Sequence, residues 1–235
     1  MNKAIITIVS VVFVMSICNV QGAIDWDFYE DGTIDPGDEY WNVGVYDTPP
    51  DHTTVDMLGG LVDSISAHNE SIVNLSGGSV STLSAFDSCT INAFGGSVYT
   101  LWAYDTGTVN VWGDADVVVL DTRETGTVNI IGGTVDRAGT LDFGTINLSG
   151  GLVLDGLWAG DSGIINIYGF DLAKEISGGG YGYGFVSGKW TNGTMFNIDF
   201  GWSPTYSRVV LHEIPEPTTL VIVMAGVLFL RRLRK

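Results

Sequence analysis

The stretch Val73-Asn74-Leu75-Ser76-Gly77-Gly78-Ser79-Val80 decides the fold, because its pattern returns along the chain at nearly fixed intervals. Written around the central polar residue, the copies are Val55-Asp56-Met57, Val73-Asn74-Leu75, Ile91-Asn92-Ala93, Val109-Asn110-Val111, Val128-Asn129-Ile130, Ile146-Asn147-Leu148 and Ile165-Asn166-Ile167. Successive centres lie 18, 18, 18, 19, 18 and 19 residues apart, an internal repeat that takes precedence over any local signal. Three residues after each centre stands a glycine (Gly59, Gly77, Gly95, Gly113, Gly132, Gly150, Gly169), which supplies the backbone angles of a tight corner. An aliphatic residue returns six residues after most centres, as Val62, Val80, Val98, Val135, Val153 and Leu172, and a third apolar position shows at Ile65, Leu83 and Leu101. Each repeat therefore reads as two or three short strands separated by corners.

Side chains alternate along a strand, so the apolar residues flanking each central Asn point one way and the Asn the other. One repeat cannot bury that face alone, but stacking each coil on the last does so. The expected fold is all-β: a single-stranded parallel β-solenoid of about seven coils over residues 54–172. Glycines and β-branched residues at these positions oppose a helical reading.

The flanks frame this rod. Residues 1–22 carry Lys3, an apolar run and small residues at the end, the pattern of a secretory signal peptide cut between Gly22 and Ala23. Removing it takes Cys18 and leaves Cys89 alone, in a corner where other coils carry Gly107, Gly126, Gly144 and Gly163. Residues 23–53, acidic and aromatic, are expected to cap the N-terminal end, and residues 173–213, with a hairpin turn at Asn192-Gly193, to form a C-terminal β cap. With 27 acidic against 10 basic residues and a net charge of −17, nucleic acid is excluded as a partner.

Residues 214–235 form a tripartite tail: Pro215-Glu216-Pro217, an apolar run from Leu220 to Leu230, and Arg231-Arg232-Leu233-Arg234-Lys235. The order expected is a short membrane helix with its basic end in the cytoplasm. This tail resembles the PEP-CTERM sorting signal, with its motif intact at Pro215, Glu216 and Pro217. The resemblance implies recognition and removal of the tail by exosortase, a membrane protease-transpeptidase. It also implies export through the inner membrane, transient anchoring there, release to the cell surface or medium, and association with exopolysaccharide or biofilm matrix. The repeat body is similar to ectodomains carried by such proteins, a likeness that brings no activity with it.

Within the rod, Asn74, Asn92, Asn110, Asn129, Asn147 and Asn166 are expected to stack as a structural amide ladder. Asp87, Asp105, Asp121, Asp142 and Asp161 read as a second column, either accepting backbone hydrogen bonds in corners or holding Ca²⁺. Trp102 and Tyr104 are candidates for stacking on a glycan, as are other aromatics such as Phe86, Trp112 and Trp158. The role expected is structural or adhesive, without resident cofactor and without catalysis. Two alternatives stand beside it: a calcium-dependent glycan-binding module, and a polysaccharide lyase or hydrolase built on Asp105, Asp121 and Arg123. Against the enzyme, coils of nearly constant length provide no long loops for a cleft, and His52, His68 and His212 are scattered.

Overall fold

The computed structural model describes residues 24–50, 52–177, 183–201 and 204–215. The expected signal peptide with its Gly22-Ala23 cut, and the tail with Glu216 and Pro217, lie outside the described residues.

The chain opens with β1 (Ile24–Phe28), β2 (Gly32–Ile34) and β3 (Glu39–Tyr46). It then alternates short and long strands: β4 (Thr54–Met57) and β5 (Leu61–His68), β6 (Ile72–Leu75) and β7 (Ser79–Ala85), β8 (Thr90–Ala93) and β9 (Ser97–Ala103). The alternation continues with β10 (Thr108–Val111) and β11 (Asp116–Thr122), β12 (Thr127–Ile130) and β13 (Thr134–Thr140), β14 (Thr145–Leu148) and β15 (Leu152–Ala159). Each short strand pairs in parallel with the short strand one coil away, so that Val73, Ile91, Val109, Val128, Ile146 and Ile165 fall in one file. The long strands pair in the same manner, for example Val80 with Val98 and Val98 with Val117. This is a parallel β-solenoid.

Burial follows the alternation that the sequence predicts. The two apolar residues flanking each central position are fully buried, as with Val109 and Val111, while the central residue is half-buried on the outer face. The long strands contribute two further buried files, Val62 to Val153 and Ile65 to Leu157, and the second runs through Leu83, Leu101, Leu120 and Ala138. Between these files the strand bends, because adjacent residues such as Ser81 and Thr82 both face outward. The corners fix how closely coils stack. Gly78 has φ +84°, and a Cβ there would lie 2.6 Å from the Gly59 backbone of the coil below.

Residues 24–46 depart from the expected cap. Strand β1 pairs in parallel with β3, β3 with β5 and β2 with β4, so this segment supplies further rungs of the rod. The sequence hides them because Gly32-Thr33-Ile34 carries no central Asn and no following glycine pair, and its interval to the next coil is longer, with Ile34 opposite Met57. At the other end, β16 (Ile164–Ile176) begins as the next short strand and runs on past its corner. A hairpin of β17 (Gly184–Lys189) and β18 (Met195–Phe200) then turns antiparallel against it, with its tip at Asn192-Gly193. The helical turn α1 (Thr205–Arg208) leads into β19 (Val209–Glu213), the last parallel partner of β16. Among the described residues no helix is long and apolar enough to cross a membrane.

Candidate functional site

Register alone turns the central Asn residues into a continuous chain of side-chain hydrogen bonds. Asn92 Nδ2 donates to Asn74 Oδ1 at 2.8 Å, and the same bond joins Asn110 to Asn92, Asn129 to Asn110, Asn147 to Asn129 and Asn166 to Asn147 at 2.8 to 2.9 Å. The chain ends chemically as well as spatially. Asn74 Nδ2 donates to the Asp56 carboxylate at 2.8 Å, and His212 Nε2 lies 2.9 Å from Asn166 Oδ1. All amides point the same way, so their N–H ends face an anion and their carbonyl ends face an imidazole N–H. Asp56 fits only at the terminus, since an ionised carboxylate accepts and cannot pass a bond on. His212 also stacks on Tyr168, with ring centroids 4.5 Å apart.

The acidic column differs from the sequence expectation at one member. The corner residues with left-handed backbone are Asn69, Asp87, Asp105, Glu124, Asp142 and Asp161, with φ between 46° and 60°. Asp121 is not among them: it lies within β11, opposite Trp102 on one side and Gly139 on the other. Spacing misled because Thr122-Arg123 separates Asp121 from its corner, and that corner carries Glu124 where the other four acidic corners carry aspartate. The corner carboxylates act across coils: Asp87 Oδ2 accepts from Asn69 N–H, Asp105 Oδ2 from Asp87 N–H, and Asp142 Oδ2 from Glu124 N–H, at 3.0 to 3.2 Å. The next hydroxyl along reinforces this, Thr106 Oγ1 donating to the Asp87 carbonyl at 2.8 Å. Glu124 is pushed above the ordinary glutamate value, first by the hydrogen bond that it shares with the Asp105 side chain. The carboxylates of Asp87, Asp105 and Asp142 are thus engaged in backbone hydrogen bonding. Among the described residues, the three-ligand arrangement within 4.8 Å is instead Asp47, His52 and Glu70, near the N-terminal end.

The aromatics divide among separate places. Tyr29, Tyr46, His68, Phe86 and Tyr104 stack one per coil, with centroids 5.0 to 5.3 Å apart. Trp102 packs beside the end of this stack, 5.4 Å from Tyr104, and Arg123 continues the file with its guanidinium 4.9 Å from the Trp102 ring. Trp112 stacks on Phe94 at another corner. Both glycan-stacking candidates, Trp102 and Tyr104, therefore have ring partners within the protein. Cys89 is fully buried, its Sγ 3.4 Å from the Ala67 carbonyl, and burial pushes its thiol up to about 12, so it is inert at neutral pH.

One place on the long-strand face combines a cavity with unsatisfied polar atoms. Asp121 is 7% exposed, and its Oδ1 has no hydrogen-bond partner among the described residues; nor does the buried Nε of Arg123. Burial raises the Asp121 carboxyl above the usual carboxylate range, and the Arg123 and Arg137 charges pull it back only in part. Trp158 reaches over Gly139, where any Cβ would overlap the indole. Val119, Asp121, Arg137, Asp155, Leu157 and Trp158 line a cavity of about 500 Å³ here. Of the enzyme candidates, Asp121 lies on β11 and Arg123 directly follows its end, while Asp105 is engaged in the corner file. Sequence reading missed Arg137, and missed Trp158 as a neighbour of Asp121, although counting by coil from Trp102 leads through Asp121 and Gly139 to Trp158.

Fold and repeat define the class: a parallel β-solenoid repeat protein. Comparison with protein-family models, characterised proteins and solved structures finds no match to the chain.

Proposed function

We propose that this is an exported, exosortase-processed protein of the cell surface or extracellular matrix, structural or adhesive in role and non-catalytic, which meets exopolysaccharide. The observation that carries the reading is the tail order, Pro215-Glu216-Pro217 followed by an apolar run and a basic end. The fold supports it. Strand β19 ends at Glu213, and Ile214 N–H still bonds to the Gly169 carbonyl at 2.8 Å, so the motif begins directly where the rod stops. A rod of uniform coils, tied lengthwise by amide, carboxylate and aromatic files, suits a load-bearing or displaying element better than a cleft enzyme. Its acidity keeps it soluble and off other polyanions. Mass spectrometry of the mature protein, combined with cell fractionation, tests the proposal: loss of roughly the last twenty residues and an exported product are expected. A cytoplasmic chain still ending at Lys235 overturns it.

A further inference from the structure

We propose that Asp47, His52 and Glu70 bind one zinc ion, which ties the N-terminal rungs to the coil that follows. The three residues come from equivalent corners one coil apart. Asp47 directly follows β3 and His52 precedes β4, while Glu70 lies between β5 and β6. Tyr46 pairs with His68, so the two corners start level on adjacent rungs. In later corners a carboxylate makes the joint, as Asp87 does by accepting from Asn69 N–H. Asn69 itself brings no carboxylate to the corner before it, and the Asp47, His52 and Glu70 cluster stands at that joint.

The spacing of the donor atoms is that of a coordination sphere. His52 Nδ1 lies 3.7 Å from Asp47 Oδ1 and 3.6 Å from Glu70 Oε2, beyond hydrogen-bond reach of both. Donors held about 2.0–2.2 Å from a tetrahedral zinc ion are about 3.3–3.6 Å from one another, close to both separations. All three donor atoms fall within 4.8 Å of each other. Asp47 is the fixed member: its side chain is only 9% exposed, with Oδ1 accepting from Thr53 N–H at 3.2 Å. A carboxylate buried beside one long neutral hydrogen bond is short of positive charge, which a cation supplies. His52 and Glu70 are exposed, and side-chain rotation closes the remaining distance. The donor set then selects the ion. An imidazole nitrogen with two carboxylates suits zinc, whereas calcium and magnesium favour sets made of oxygen alone. The ion takes Nδ1 of a neutral ring with its proton on Nε2, the two carboxylates balance its charge, and water fills the fourth position.

The test uses the purified full-length chain in detergent, without a histidine tag, stripped with chelator and titrated with Zn²⁺ by calorimetry. Co²⁺ serves as a visible reporter of the same site, and circular dichroism checks folding. One equivalent of zinc binds with a dissociation constant of about 10 µM or tighter, and Ca²⁺ at about 1 mM does not displace it. His52→Ala and Glu70→Gln, both at exposed side chains that the fold does not need, each weaken binding roughly tenfold or more. His68→Phe, which keeps the ring stack with Tyr46 and Phe86, binds as the parent does. Saturating zinc raises the Tm of the parent by about 5 °C or more and that of His52→Ala by less than about 1 °C. The proposal is overturned if neither Zn²⁺ nor Co²⁺ binds at about 100 µM, or if either folded variant keeps the parent's affinity. It is equally overturned if Ca²⁺ displaces zinc, or if several ions bind weakly and alike in parent and variants, which is condensation on a chain of net charge −17. None of these outcomes bears on tail removal, which is read separately from the mature C-terminus.

Discussion

Replacing Asn110 with alanine removes two bonds of the amide file at once, its donation to Asn92 at 2.9 Å and its acceptance from Asn129 at 2.8 Å. Each is worth ~0.5–1.5 kcal/mol net, and because the site is half-exposed, water restores part of the loss. The expected cost is therefore about 1–2 kcal/mol, or a Tm lower by roughly 2–8 °C in a chain of this size. Asn110→Asp costs more. Its carboxylate can still accept from Asn129 but offers nothing to Asn92 Oδ1, and two oxygens are left face to face. Asp56→Asn costs least, because the end of the file needs only an acceptor. Urea and thermal melts followed by far-UV circular dichroism read all three. A loss below about 0.5 kcal/mol for Asn110→Ala, within the scatter of ordinary surface changes, refutes the reasoning, as does Asn110→Asp proving harmless.

Three further outcomes are expected. Gly78→Ala pairs left-handed strain with a backbone collision and costs about 1–3 kcal/mol or more in a thermal melt, whereas Gly37→Ala, at φ +105° in open space, costs the strain alone. The Asp121 carboxyl is raised in the folded state, so the fold loses stability as pH rises from the unfolded value towards the folded one. Asp121→Asn accordingly raises Tm at neutral pH, and the gain vanishes below about pH 4; a Tm difference independent of pH contradicts this. Cys89, with its thiol pushed up to about 12, stays unmodified by a thiol reagent in the native protein and reacts once denaturant exposes it; rapid native labelling contradicts its burial.

The rod was legible because its evidence is periodic. The apolar files at Val73, Ile91 and Val109 repeat at the spacing of the coils, and register carries Asn74, Asn92 and Asn110 into contact without further information. Legibility failed where period and identity part. Glu124 takes an aspartate's corner, and the Gly113-Asp114-Ala115 corner, one residue longer than Gly95-Gly96, displaces Val117 and Leu120 from the simple count. Residues 24–46 join the ladders off the repeat interval, β1 at a shorter one and β2 and β3 at longer ones, and without the central Asn, which is why they read as a cap. The Asp121 cavity was hidden for a different reason. Its walls come from three coils, and a single repeat contains neither the glycine that admits the indole nor the arginine that faces the acid.

The account stands on like positions of successive coils lying one above another. Ser79 and Ser97 are exposed partners in register on adjacent long strands, and Asp116 is one coil further along the same file. Adjacent parallel rungs are ~4.8 Å apart, within disulfide reach, and alternate rungs are not. Under mild oxidation the Ser79→Cys/Ser97→Cys double variant is predicted to cross-link within the chain, and Ser79→Cys/Asp116→Cys to remain reduced. Absence of the first link, or equal formation of the second, contradicts the stacking from which every file and the cavity were argued.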